Sequence, residues 1–89
     1  MSQPYVGEIR MFGGNFAPVG WMFCEGQLLA IAENETLFNL IGTTYGGDGI
    51  KTFGLPDLRD TDPQGGARSW NPEKPRWIIC VAGRYPSYG

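Results

Sequence analysis

The chain has 89 residues with 14 glycines, 7 prolines, 3 tryptophans, 4 tyrosines and 5 phenylalanines, a length and composition that predict one small β-rich domain over residues 1–89. The formal net charge of −2 and the lack of a dense Lys/Arg cluster argue against a nucleic-acid or anionic membrane partner. The longest apolar run is far shorter than the roughly 20 residues that cross a bilayer, and no leader-like segment opens the chain, so we expect neither membrane insertion nor a signal peptide.

A strand is predicted near the start of the chain. Residues 5–12 alternate between apolar and charged side chains, so Tyr5, Ile9 and Met11 share one face of an extended segment. This pattern predicts a half-buried strand whose apolar face lies on the core.

Two further extended segments are predicted before the helix. Residues 21–24 are apolar on both faces, which is typical of a central strand covered on both sides. Glu25 and Gly26 interrupt the apolar run, and residues 27–31 resume it. A polar, glycine-containing pair between two apolar runs indicates a hairpin.

The apolar period changes from two to about 3.6 after Asn34. Asn34 is a suitable N-cap, and Gly42 is a suitable left-handed residue after the last turn. We therefore predict one short helix from Glu35 to Ile41. The stripe that packs it on the sheet consists of Leu37, Phe38, Leu40 and Ile41.

Residues 43–51 are rich in glycine. The segment lacks the Lys-Ser/Thr pair of a phosphate-binding P-loop and follows a helix instead of leading into one, so we interpret it as a turn. A short strand over residues 52–55 follows. Beyond it, Asp57 and Arg59 are predicted to form a structural turn, either as an ion pair or with Asp57 accepting backbone N–H groups while Arg59 braces the loop.

Residues 60–76 have the composition of a surface loop, rich in proline, glycine and charged side chains. Because an exposed tryptophan is costly in solubility, Trp70 is predicted to fold back on the domain or to contact a neighbour. The candidate partner-binding residues of this loop are Arg68, Trp70, Asn71 and Arg76. The continuous apolar run over residues 77–82 predicts the central strand of the sheet.

The predicted core combines the apolar positions of these elements. Cys24 and Cys80 each lie in an apolar run, which leaves two alternatives: two buried thiols, or a disulfide between neighbouring strands. The other predicted core residues are Ile9, Trp21, Phe23, Leu29, Leu37, Leu40, Ile41, Leu55, Ile79 and Val81.

The residue types needed for catalysis are scarce. The chain has no histidine, which is the usual base beside a nucleophile and a frequent zinc ligand. Asp60 to Gly65 nearly match the first half of a calcium loop, but Gln64 replaces an Asp or Asn, and Asn71 stands where a bidentate Glu is required. We therefore predict a non-enzymatic protein with no catalytic residue, no cofactor-binding residue and no metal site.

A series of short motifs runs in a characteristic order from residue 20 to residue 59. They are Gly20-Trp21, Cys24-Glu25-Gly26-Gln27-Leu28-Leu29, Thr44-Tyr45-Gly46-Gly47-Asp48-Gly49 and Leu55-Pro56-Asp57-Leu58-Arg59. This order resembles the phage tail collar domain family, and residues 5–9 and 77–83 resemble the family's first and last strands. The resemblance implies an α+β domain with one short helix on a mixed or antiparallel sheet, in which residues 60–76 are a shortened form of the family's long excursion.

The resemblance also implies a function. It indicates a structural or adhesion module of a tail fibre that assembles as a trimer, contacts a host-surface glycan, is made in the bacterial cytoplasm and resides in the virion tail. The alternative is a truncated or engineered collar-domain scaffold that folds and self-associates without binding a receptor. Independently of the family, aromatic residues in loop or end segments favour self-association, among them Trp70, Tyr85 and Tyr88.

Overall fold

The computed structural model describes residues 3–61 and 65–86. Within these residues the chain forms two small sheets, one α-helix and one 3-10 turn, which confirms the predicted small α+β fold. The strands within each sheet are antiparallel, and among the described residues one parallel bridge joins Tyr5 to Arg84. In chain order the elements are β1 (Ile9–Phe12), β2 (Trp21–Phe23), β3 (Leu28–Ala30), the 3-10 turn (Ile31–Glu33), α1 (Glu35–Ile41), β4 (Thr52–Gly54) and β5 (Arg76–Cys80).

The three-stranded sheet has the order β1-β5-β2. The central position predicted for residues 77–82 is confirmed, because β5 pairs with both neighbours. The central position predicted for residues 21–24 is wrong, because β2 lies at an edge. This edge strand is apolar on both faces because each face is covered. Met22 packs against the core, and on the opposite face other side chains cover the rings of Trp21 and Phe23.

The predicted hairpin between residues 21–24 and 27–31 is wrong, because β3 pairs with β4 in a separate two-stranded sheet. The side chain of Gln27 holds the connection between β2 and β3. Its Nε2 donates to the Phe23 carbonyl at 2.8 Å, and its Oε1 accepts the Glu25 backbone N–H at 3.1 Å. The Gly26 N–H donates to the Pro56 carbonyl, which joins this connection to the segment after β4.

The first predicted strand begins later than expected. Residues 5–8 form a turn in which the Glu8 N–H donates to the Tyr5 carbonyl at 3.0 Å, and this turn places Val6 in the core. The inward orientation predicted for Tyr5, Ile9 and Met11 is wrong, since all three are exposed, Met11 at 60%. Ile9 pairs with Ile79 and shares its face of the sheet, but the cover that buries Ile79 does not extend over Ile9 and Met11.

The predicted helix is confirmed with its bounds Glu35–Ile41. Leu37 is completely buried, and Gly42 adopts the positive φ of 54° expected of it, with its N–H donating to the Phe38 carbonyl at 2.8 Å. Asn34 occupies the N-cap position without capping, because its side chain donates to the Ala30 carbonyl instead. No helix in the described part of the chain is long and apolar enough to span a membrane.

The core lies between β2 and β5 on one side and α1, β3 and β4 on the other. Of the predicted members, Leu37, Leu55 and Ile79 are buried in it, while Leu29, Leu40, Ile41 and Val81 are half-buried against it. Ile9 is exposed, and Trp21 and Phe23 are half-buried outside the cluster, so these three assignments are wrong. The core members absent from the predicted set are Val6 and Phe53, the latter packed on Phe38 with ring centroids 5.4 Å apart.

Candidate functional site

The Asp57–Arg59 turn anchors the loop that the sequence marked for partner binding. Arg59 donates to the Asp57 carboxylate through Nε at 3.0 Å and Nη2 at 2.9 Å, and its backbone N–H donates to the same carboxylate at 3.2 Å. Both sequence alternatives thus occur together. The bonds from the Arg59 side chain lower the pKa of Asp57, and the same pair raises the pKa of Arg59. Arg59 Nη2 also donates to the Glu25 carbonyl at 3.1 Å, which joins the turn to the connection after β2.

Trp70 folds back on its own domain, as one of the two sequence alternatives predicted. Its indole Nε1 donates to Glu25 Oε2 at 2.8 Å, and its ring centroid lies 6.3 Å from that of Phe23. A hydrogen bond to a carboxylate is stronger than one between neutral groups. The indole is therefore both oriented and half-buried by contacts within the chain.

Of the other three candidate residues, Arg68 and Arg76 contact the rest of the domain, and Asn71 bonds within the loop. Arg68 Nη1 donates to the Asp57 and Arg59 carbonyls at 3.2 Å each, and Arg76 places its guanidinium 5.2 Å from the centroid of the Phe23 ring. Asn71 shapes a local turn by accepting the Glu73 N–H at 2.9 Å. The structure thus brings Trp70 and Arg76 together on Phe23 and places Arg68 on the Asp57–Arg59 turn.

Arginine and aromatic side chains cover the sheet face opposite the core, here called the outer face (Arg10, Trp21, Phe23, Arg76 and Trp70). The guanidinium of Arg10 lies 5.3 Å from the centroid of the Trp21 ring. Strand register places Arg10, Ile78 and Phe23 in one row across the sheet, and Ile78 beneath this cover is buried. Sequence reasoning missed these pairings, because no local pattern relates strands that become neighbours only through β5.

The glycine-rich segment after α1 is a turn, as predicted. Asp48 Oδ1 accepts the backbone N–H groups of Ile50, Lys51 and Thr52 at 2.8, 2.9 and 3.0 Å. These bonds lower the pKa of Asp48 to about 2. The backbone N–H groups of residues 50–52 thus bind a carboxylate of the chain itself.

Both cysteines are buried and unpaired. The Cys24 N–H donates to the Trp77 carbonyl, whereas Cys80 lies opposite Trp21. The two residues are thus offset by three positions along the β2–β5 ladder, roughly 10 Å, which is beyond the reach of a disulfide. Burial, and secondarily the nearby carboxylates of Asp57 and Glu25, raise the pKa of Cys24 to about 11, so its thiol is protonated at neutral pH.

The candidate calcium loop at Asp60 runs into residues 62–64, which lie outside the described residues, as does Tyr88. Residues 3–61 and 65–86 contain no cluster of three or more His, Cys, Asp or Glu side chains that could hold a metal ion. Asp60 itself exchanges two backbone hydrogen bonds of 3.1 Å with Ser69, which close the base of the loop.

Comparison with known proteins agrees with this architecture. Residues 7–63 match the Phage Tail Collar Domain, and this region covers more than half of the chain. No curated protein matches the chain. The match spans β1 through the Asp57–Arg59 turn and includes only the first residues of the loop predicted over residues 60–76. The chain therefore belongs to the phage tail collar domain family.

Proposed function

We propose that this domain is a self-associating structural module of a phage tail fibre, in which residues 65–76 brace the domain. Membership of the phage tail collar domain family supports this structural role. The observation that carries the bracing role is the bond from the Trp70 indole to Glu25, supported by the Arg68 contacts with the Asp57–Arg59 turn. The large side chains of the loop thus contact their own domain.

Exposed apolar side chains elsewhere support self-association. Phe16 and Ile50 are 80% and 81% exposed, and Val19 is fully exposed. Contact between copies would remove this apolar area from water and compensate for the thin core of a small domain. A trimer is the arrangement that the family resemblance implies.

Sedimentation over micromolar to millimolar concentrations tests self-association. We expect an oligomer that dissociates when Phe16 and Val19 are both changed to serine, because these substitutions remove exposed apolar area. T43S and T44S together form the matched control, since they alter two exposed polar residues in another loop. A monomer of about 10 kDa over the whole range, with the unchanged chain, would refute the assembly.

Attachment to a host-surface glycan is the second candidate function. The observation that favours it is the position of Arg68 and Trp70 on one short loop that leads to Arg76 at the start of β5. Exposed or half-buried arginine and tryptophan side chains can bond and stack on sugar rings. Glycan-array binding that is weakened by R68Q and retained by K51Q would support attachment. If an intact oligomer bound no glycan, only the scaffold role would remain.

A further inference from the structure

The two ends of the described chain are joined by a short parallel pairing, here called the end clamp (Pro4–Val6 and Gly83–Arg84). The Val6 N–H donates to the Arg84 carbonyl at 2.8 Å, and the Arg84 N–H donates to the Pro4 carbonyl at 2.9 Å. These bonds form the parallel bridge between Tyr5 and Arg84. Within the described residues, strands are otherwise paired antiparallel.

Side-chain contacts hold the end clamp together. The Arg84 guanidinium lies 5.3 Å from the centroid of the Tyr5 ring, and Val6 is anchored in the core. Gly83 permits the close approach, since a Cβ there would lie 2.4 Å from the Pro4 carbonyl oxygen and 3.0 Å from Cys80 Sγ. The backbones could not meet in this way with a larger residue at position 83.

The direction of pairing determines how the clamp responds to force. In a parallel pair, tension on the segment before Pro4 and on the segment after Pro86 slides the two strands past each other, so both bridge bonds are loaded together. The β1–β5 ladder differs, because antiparallel pairing puts Ile9 and Ile79 at the same end. Once the clamp opens, the same tension peels that ladder one pair at a time.

We propose that the end clamp is a mechanical lock that carries tension applied along the chain before the sheet can peel. This property goes beyond the proposed structural role and does not depend on self-association or on glycan binding. It assigns a mechanical function to Tyr5, Gly83 and Arg84, which lie outside the loop marked for partner binding.

Single-molecule pulling in two directions tests the lock, with the same sequence around the clamp in both measurements. Handles at positions 3 and 86 load the clamp, and handles at positions 13 and 75 peel β1 from β5. Coupling uses non-thiol chemistry because Cys24 and Cys80 are native. We expect a roughly twofold higher unfolding force through positions 3 and 86, since two bonds break together. Equal forces in the two directions would overturn the proposal.

Substitution then locates the resistance. G83A should lower the force through positions 3 and 86 toward the peeling value, because its Cβ would overlap the Pro4 carbonyl oxygen. G13A is the matched control: no atom lies within 4 Å of a Cβ there, and the force through positions 3 and 86 should be unaffected. Should G83A not fold, R84A removes the Tyr5 contact and keeps both backbone bonds, with a smaller loss of force expected. No change in force with R84A and with a folded G83A would exclude the clamp as the resisting element.

Discussion

Two regions of this domain are held by different interactions. The helix–turn unit, formed by α1, β3, β4 and the turn over residues 46–49, is held by burial, with Leu37 and Phe53 completely enclosed. The bracing loop, residues 65–76, has only half-buried or exposed side chains and is held by directed contacts to Glu25, Asp57 and Phe23. Burial spreads its stabilisation over many contacts, whereas each polar contact of the loop depends on one donor and one acceptor.

The largest effect should follow from a backbone collision in the helix–turn unit. A Cβ at Gly47, whose φ is +92°, would lie 2.3 Å from the Phe53 Cα, so G47A should cost roughly 2 to 6 kcal/mol of unfolding free energy. G42A is the control, because Gly42 also has a positive φ but open space around it. Chemical denaturation measures both. Equal costs for the two variants would show that the close packing of the turn on β4 is not important.

Removing the buried side chain of the helix should have the next largest effect. L37A should cost roughly 2 to 5 kcal/mol, because it leaves a cavity in an enclosed site. L40A should cost less, since Leu40 lies half-buried at the margin of the core. Denaturant midpoints, compared at equal m-values, would establish which of the two substitutions costs more stability. A larger loss with L40A than with L37A would contradict the packing of α1.

A smaller effect is expected in the bracing loop. W70F keeps an aromatic ring on Phe23 but removes the bond to Glu25, which should cost about 1 to 2 kcal/mol. W77F makes the same change at an exposed tryptophan on β5 and should be nearly neutral. Protease cleavage within residues 65–76 should increase in W70F while α1 stays protected. Cleavage unchanged from the parent chain would show that the loop is held by other contacts.

The smallest effect should come from an exposed polar contact inside the helix–turn unit. Backbone N–H groups hold the pKa of Asp48 at about 2, below its ordinary value of 3.8. The ionised carboxylate therefore stabilises the folded chain fully above its unfolded pKa, and this contribution is lost as pH falls through the folded value. The D48N variant should therefore lose less stability than the parent chain when the pH falls through that window. E73Q, at an exposed carboxylate of the loop, is the control. Identical acid profiles for D48N and the parent chain would contradict this assignment.

The sequence predicted the elements whose signals are local. The helix Glu35–Ile41 was recognisable because its stripe, its flanking Gly42 and its length occur within one short segment. The central position of β5 followed from a continuous apolar run, and the family was recognisable from the order of motifs between residues 20 and 59. The turn at Asp57 and Arg59 was likewise local, since both partners lie within two residues.

The partners of strands and loops were decided only by the tertiary structure. β3 pairs with β4 and not with β2, while the Val6–Gly7 turn leaves Tyr5 exposed and Val6 in the core. Trp70 donates a hydrogen bond to Glu25, 45 residues away in sequence, and the Arg84 guanidinium contacts the Tyr5 ring across nearly the whole chain. Hydrophobic periodicity reports which face of an element is apolar, but the partner of that face is selected by the packing of the complete chain.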